Sequence, residues 1–485
     1  MLSRKEHAAP VPAASEGTLP ITLRRISMAF VTLSALVLVV FHSHALLLLA
    51  VGALLLFLVL AVRQYRTGAW VPILLSLGVL ALSLARGVHA DVLYQAADRM
   101  IFLAALIAML GTLRSAAAIA PEVLQAGAYV TNQPASRRYA AMTFGGHLFG
   151  VLINFGGLAL LLDLAKRSMS TEAAAHLPDA AREARLRRMT LAIVRGFSLI
   201  SLWSPFGFAT NALLITLPGV SYMDFGPVGF AMSFVFVAIG WGLDRLDGRR
   251  FRKLGLTPPK PPEGSWRGAA ALVGHVLALG STVFATHELT PLSFQEALIF
   301  AVPVYAFLWS ASAGRRSMGR ASAGAASAAQ TTWKRLSDLG PEVSVFAAAG
   351  FLPVLLLALI PTETLQATIV TLGLDAFSIM IGLSLLTVVL ALIGINPIVT
   401  TSVFGSIAAE LAVPGLSNTA IALAITGGWT SVIGLSPFIT TLVIASTIMG
   451  RSSTTIGLVW NGLYCATILS VWLLLISGLM LTGMI

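Results

Sequence analysis

Charge is what this sequence has least of. Only 11% of its 485 residues are Asp, Glu, Lys or Arg, against 57% hydrophobic, whereas a soluble globular chain carries about 25% charged residues. That scarcity excludes a water-soluble globule and leaves an all-α polytopic membrane protein. A single cysteine, Cys465, excludes an intramolecular disulfide and a multi-cysteine metal site; it reads as a small apolar residue within a helix. No GxxxxGK[ST] run occurs, so the chain does not hydrolyse ATP itself. The 31 basic residues outnumber the 20 acidic ones, but they sit in short segments between apolar stretches. That is the positive-inside pattern of a membrane protein rather than a nucleic-acid-binding surface. The polar start lacks the order of a cleaved signal peptide. Residues 1–25 are expected to form a disordered cytoplasmic tail, with Arg24 and Arg25 holding an extra helix at 26–43 on the inside.

Apolar stretches of about bilayer length fall at 26–41, 46–62, 70–84, 100–113, 225–243, 269–285, 297–309, 343–360 and 455–481. Four others are irregular. The stretch 139–166 has arginine or lysine at both ends, so it cannot cross once and predicts a re-entrant hairpin with its tip near Asn154, Gly156 and Gly157. The stretch 377–411 starts and ends outside and predicts a second, inverted hairpin. The stretches 189–217 and 417–448 are long but interrupted, at Ser204 and Pro205 and at Ser436 and Pro437. The expected fold is therefore about eleven transmembrane helices plus two re-entrant hairpins. The N-terminus lies in the cytoplasm and the C-terminus in the periplasm of a bacterial inner membrane. Segment 244–268, with Pro258, Pro259, Pro261 and Pro262, reads as a stiff cytoplasmic linker, and 315–339 as a small, basic cytoplasmic connection.

The chain is organised around 391–441, almost free of charge and broken twice, at Gly394, Asn396 and Pro397 and at Gly434, Ser436 and Pro437. Proline removes a donor and clashes with the preceding turn. Broken backbone survives in hydrocarbon only where it is buried in protein or lines a wet cavity, which is how transporters build a midplane binding site. A weaker copy lies earlier: Ser436, Pro437 and Phe438 repeat Ser204, Pro205 and Phe206; Ile395 and Asn396 repeat Ile153 and Asn154; and the run from Glu363 to Ala367 echoes the run from Glu122 to Ala126. Matches in one order at nearly constant separation predict an internal duplication, 44–243 and 269–483, in two inverted repeats.

Two such halves, each with a hairpin and a broken helix, resemble the ion transporter superfamily, including the divalent anion/sodium symporters and the large membrane subunit of tripartite periplasmic carboxylate transporters. The resemblance implies a dimerising scaffold, a moving transport domain and a site between hairpin tip and helix break in each half. It further implies partners: a homodimer in the bilayer and, for the tripartite branch, a periplasmic binding protein. The symporters share a Ser, Asn, Thr triplet at each tip; here the tips read Ile153, Asn154, Phe155 and Ile395, Asn396, Pro397, and the literal Ser417, Asn418, Thr419 suits a helix N-cap.

Candidate substrate-binding residues are Asn154, Gly156, Arg195, Ser204, Pro205, Asn211, Asn396, Pro397, Thr400, Ser436, Pro437 and Thr440. Asn154, Thr210, Asn396, Thr401 and Thr441 are candidates for a coupling cation such as sodium, with no other cofactor expected. The alternative for each is a helix cap or a satisfied backbone group. Arg195 stands alone within the first broken helix, where its guanidinium suits a carboxylate or instead snorkels to the surface. His147, Asp163 and Glu410 are lesser candidates for a proton relay. The expected function is secondary transport of a small anionic, carboxylate-like solute, coupled to sodium or protons. A binding-protein-dependent carrier subunit, a glycan or lipid transferase and a channel are the competing readings.

Overall fold

The computed structural model describes residues 18–65, 67–134, 136–169, 178–248, 262–360 and 362–485. Among them the regular structure is helical, as a chain must be when lipid offers its backbone no partners. The helices are α1 Thr18–Val40, α2 His44–Leu60, α3 Thr67–Ala85, α4 Ala90–Leu110, α5 Thr112–Ala117 and α6 Pro121–Thr131. The first hairpin follows as α7 Arg138–Ile153 and α8 Phe155–Arg167, then a broken helix as α9 Asp179–Ser198, α10 Ile200–Trp203 and α11 Phe208–Thr216, then α12 Tyr222–Gly248. The second part is α13 Trp266–Leu289, α14 Phe294–Met318, α15 Ala321–Leu336, α16 Gly340–Leu359 and α17 Thr362–Leu372. It ends with the hairpin α18 Ala376–Leu392 and α19 Pro397–Glu410, the broken pair α20 Asn418–Ile433 and α21 Thr440–Met449, and α22 Asn461–Leu481.

Nine helical stretches among the described residues are long and apolar enough to cross a membrane. The other two expected spans are α2, of 17 residues, and the interrupted α20 and α21. The arms of the first hairpin, 16 and 13 residues, reach only about 24 and 20 Å, short of a hydrocarbon core of about 30 Å. Among the described residues the helical runs stop at Asn154, 204–207, 393–396 and 434–439.

Three boundaries differ from expectation. Residues 18–25 are the first turns of α1 rather than tail: Arg24 is buried and donates to the Leu60 carbonyl at 3.1 Å, and Pro20 stands in the first turn, where its missing N–H costs nothing. The rest of the expected tail, 1–17, lies outside the described residues, as does most of the linker, 249–261. The first broken helix begins at Asp179, not 189, because two arginines in its first turns find carboxylates on α12: Arg188 with Asp244 at 2.6 Å and Arg187 with Asp247 at 3.2 Å. The basic connection after α14 is itself helical, and α15 folds back so closely that a Cβ on Gly314 would stand 2.3 Å from the Gly324 Cα.

Packing places the site. α4 lies along α16, and α1 on α2, while α7 packs on α9 and α18 on α20. The first of the hairpin contacts is backbone to backbone, since a Cβ on Gly196 would meet the Thr143 carbonyl at 1.9 Å; small residues allow such approach between membrane helices. The second arms are exchanged: α8 packs on α21, and α19 on α11. Each hairpin thus leans on the half-helix beyond the other unit's break, and both tips are drawn to one place.

Candidate functional site

That place is a cavity of about 570 Å³. The two tips contribute Asn154, Gly156, Asn396 and Pro397; the chain just past the two breaks contributes Gly207, Phe438, Thr440 and Thr441. Phe155, Phe197, Phe208, Phe346 and Trp429 supply apolar walls, and Arg114, Asp338 and Glu342 supply charge. Asp338 is solvent-exposed, so the cavity reaches the surface beside the start of α16.

Asn154 joins the arms of the first hairpin at φ 55 and ψ −136, a conformation that costs a side-chain-bearing residue about 1 to 3 kcal/mol. Its N–H donates to the Gly150 carbonyl at 2.9 Å, and its carbonyl accepts from Gly157 at 3.0 Å. Its amide group has no side-chain hydrogen bond to α8 and borders the cavity. Asn396 has the capping role as well as the cavity position: its Oδ1 accepts from the Ile398 N–H at 3.0 Å, with Pro397 at the first helical position. Both tips therefore present a helix N-terminus to the cavity, with free N–H groups and partial positive charge.

The breaks are held by their own side chains. Asn211 Nδ2 donates to the Pro205 and Gly207 carbonyls at 3.0 and 2.9 Å, and Ser436 Oγ donates to the Ala391 carbonyl at 2.7 Å, tying the second break to its hairpin. Thr401 Oγ1 donates to the Pro397 carbonyl at 2.9 Å. Ser201 and Thr430 join the two broken helices by a hydroxyl pair at 2.9 Å. A second group of oxygens is buried without a partner among the described residues: the hydroxyls of Ser204, Thr210, Thr400 and Thr441, and Asn211 Oδ1. Buried unsatisfied oxygens are uncommon, and these cluster by sequence around the breaks and the second tip.

Of the candidate residues, Asn154, Gly156, Asn396, Pro397, Thr440 and Thr441 line the cavity; Ser204, Pro205, Thr210, Asn211, Thr400, Thr401, Ser436 and Pro437 are not part of its lining. Arg195 is not on the cavity either. Its Nε donates to Asn461 Oδ1 at 2.7 Å and its Nη1 to the Gly240 carbonyl at 3.3 Å, with the guanidinium 4.5 Å from the Tyr464 ring centre. Asn461 in turn donates to the Gly434 carbonyl at 3.0 Å, so Arg195, buried and off the cavity lining, braces the second break from the first broken helix. His147 has both nitrogens engaged, Nδ1 with the Gly196 carbonyl at 3.2 Å and Nε2 with the Trp203 N–H at 3.1 Å. Asp163 pairs with Arg167 at 2.7 Å on the surface, and Glu410 is exposed. Ser417 caps α20 by accepting from the Ala420 N–H at 3.0 Å, as expected of it.

The cationic residue on the cavity is Arg114, 5.8 Å from the Phe155 ring centre. In sequence it reads as the basic flank of a span. The signal that sets it apart is its place four residues beyond α4, within a helical run that continues to Ala117.

No family model and no curated protein matches this chain. Solved structures of membrane transporters are among those that share its fold. The YdaH transporter of Alcanivorax borkumensis, described as having an unusual topology, superposes with a TM-score of 0.57 at 17% identity, covering 86% of this chain and 99% of that one. MtrF of Neisseria gonorrhoeae, described as illuminating a class of antimetabolite efflux pumps, gives 0.52 at 15% identity, covering 87% and 97%. The coverage extends over nearly the whole of both proteins, so the architecture is one that known membrane transporters adopt.

Proposed function

We propose that this chain is a secondary transporter that moves a small anionic, carboxylate-like solute across the inner membrane by alternating access, driven by sodium or protons. The observation that carries the reading is the convergence of two hairpin tips and two helix breaks on one cavity, the arrangement by which discontinuous helices make a midplane site. The exchanged packing of α8 on α21 and α19 on α11 supports 44–243 and 269–483 as inverted repeats, the two-hairpin plan that resembles the ion transporter superfamily. Solute would be held by Arg114 and by the N-terminal ends at Asn154 and Asn396. A coupling cation would be held by the unpartnered oxygens of Ser204, Thr210, Asn211, Thr400 and Thr441, which match the oxygen ligands a hard cation takes. Under the positive-inside rule the cavity's mouth at Asp338 faces the cytoplasm. A homodimer is the proposed assembly, and a periplasmic binding protein the proposed partner if the chain is a carrier subunit.

The test is uptake in proteoliposomes over a panel of mono- and dicarboxylates, aromatic ones included, with imposed sodium or proton gradients. Gradient-dependent accumulation of at least one anion supports the reading. Equal, gradient-independent flux for every solute would instead make the protein a channel.

A further inference from the structure

The molecule's basic end carries a second feature, away from the cavity. There the start of α7, the start of α9 and the end of α12 come together: Arg188 pairs with Asp244, Arg187 with Asp247, and Arg245 donates to the Ser136 carbonyl at 3.2 Å. Further along, Glu183 is taken by Arg451 at 2.9 Å. Among the described residues, these three carboxylates are therefore already committed to arginines. Arg138 and Arg185 are left over: neither has an ion pair or hydrogen bond among the described residues, and the Nε of each is buried without a partner. They lie near the starts of α7 and α9, two helices packed on one another, and the charge of Arg185 acts on Arg138. Two half-buried guanidinium groups on neighbouring helices repel, and a guanidinium pair presents forked donors suited to phosphate oxygens.

The surroundings indicate where such a phosphate comes from. On α12, Phe230, Phe234 and Trp241 are all exposed and lie at helical spacing on one face, with Arg245 stacked on Trp241 at 5.0 Å. Phe144 of α7, also exposed, packs on Phe234 with ring centres 6.3 Å apart. Tryptophan marks the headgroup level of a membrane protein, and an apolar aromatic face running from it into the bilayer suits acyl chains. Basic pockets between membrane helices bind anionic headgroups in this way.

We infer that Arg138 and Arg185 form a phosphate-binding site for the headgroup of an anionic phospholipid, whose chains lie against Phe144, Phe230 and Phe234. The site does not depend on the transport reading, and binding alone tests it. The full-length protein, delipidated in detergent, is titrated with phosphatidylglycerol, phosphatidylcholine or inorganic phosphate and followed by native mass spectrometry and thermal unfolding. Phosphatidylglycerol is expected to bind tighter than phosphatidylcholine by roughly thirtyfold for two arginines and to raise the unfolding temperature. Arg138→Gln with Arg185→Gln should abolish that preference while leaving stability in phosphatidylcholine equal or higher, since the repulsion is gone. Arg137→Gln, an exposed neighbour, should keep it. If the double variant does not fold, Arg185→Gln alone should lose most of the preference. Stabilisation by inorganic phosphate equal to that by phosphatidylglycerol would overturn the lipid source in favour of free phosphate. No preference in the wild type, or an equal loss in Arg137→Gln, would overturn the site.

Discussion

At the scale of residues, two arginines exchange the roles their sequence positions suggest. Arg195, isolated in a span, braces helices through Asn461, whereas Arg114, an apparent flank, reaches the cavity. Arg114→Gln should raise the half-saturation concentration for an anionic solute by about ten- to a hundredfold, the loss of one charge-assisted contact, with unchanged protein in the membrane. Arg195→Gln should lower the unfolding temperature and leave half-saturation within about twofold; the opposite pattern in the two variants would reverse the assignment. Glu122 offers a pH test. It is buried at the start of α6, and its Oε1 accepts from His275 at 3.2 Å, Trp309 at 2.9 Å and Arg316 at 3.0 Å. Burial pushes its carboxyl up, but those hydrogen bonds and the Arg316 charge outweigh it and hold the pKa at about 2. A depressed carboxylate contributes stability that is present above the unfolded value of 4.5 and is lost as pH falls through about 2. Thermal unfolding should therefore show an acid-sensitive loss over that window, flattened in Glu122→Gln.

At the scale of elements, hairpin and break are each a local solution to unsatisfied backbone in lipid. Asn154 turns α7 into α8 at positive φ, a strain of about 1 to 3 kcal/mol that any side chain bears there, so Asn154→Gly should be more stable than the native protein and Asn154→Ala, which keeps a Cβ, close to it. If the amide serves solute, both variants lose transport; retention of full transport in Asn154→Gly would reduce the residue to a hinge. The unpartnered hydroxyls at the breaks give a test with two signs. Removing a buried, unsatisfied hydroxyl relieves a desolvation cost of about 1 kcal/mol, so Ser204→Ala and Thr441→Val should be slightly more stable in sodium-free buffer. They should also need more sodium to drive uptake if those oxygens hold the coupling ion; an unaltered sodium dependence in both would remove them from that role.

At the scale of the whole molecule, the repeat reading fixes which ends share a side of the membrane. Cys465 is buried, so the native thiol leaves a quiet background for single engineered cysteines. Cysteines replacing Lys334 and Asp375, both exposed, should label from opposite faces of sealed vesicles, because α16 crosses between them; labelling from one face would contradict the inverted arrangement.

What the sequence alone determined is where the long apolar runs lie and where they are interrupted, because those causes are local. Apolar length marks the long helices, basic flanks on both sides of 139–166 predict a hairpin, and Ser-Pro in an apolar run marks a break. Even the echo of Glu122 in Glu363 is local: each is the second residue of an 11-residue helix, α6 and α17. Tertiary structure alone decided what those elements face. Asn396 reaches the cavity and Ser436 does not because Ser436 is spent on the Ala391 carbonyl, contributed by another helix. Arg195 is withdrawn by Asn461, which is 266 residues away. A side chain's rotation toward solute or toward protein depends on partners that arrive only when distant helices pack, and no periodicity along the chain records them.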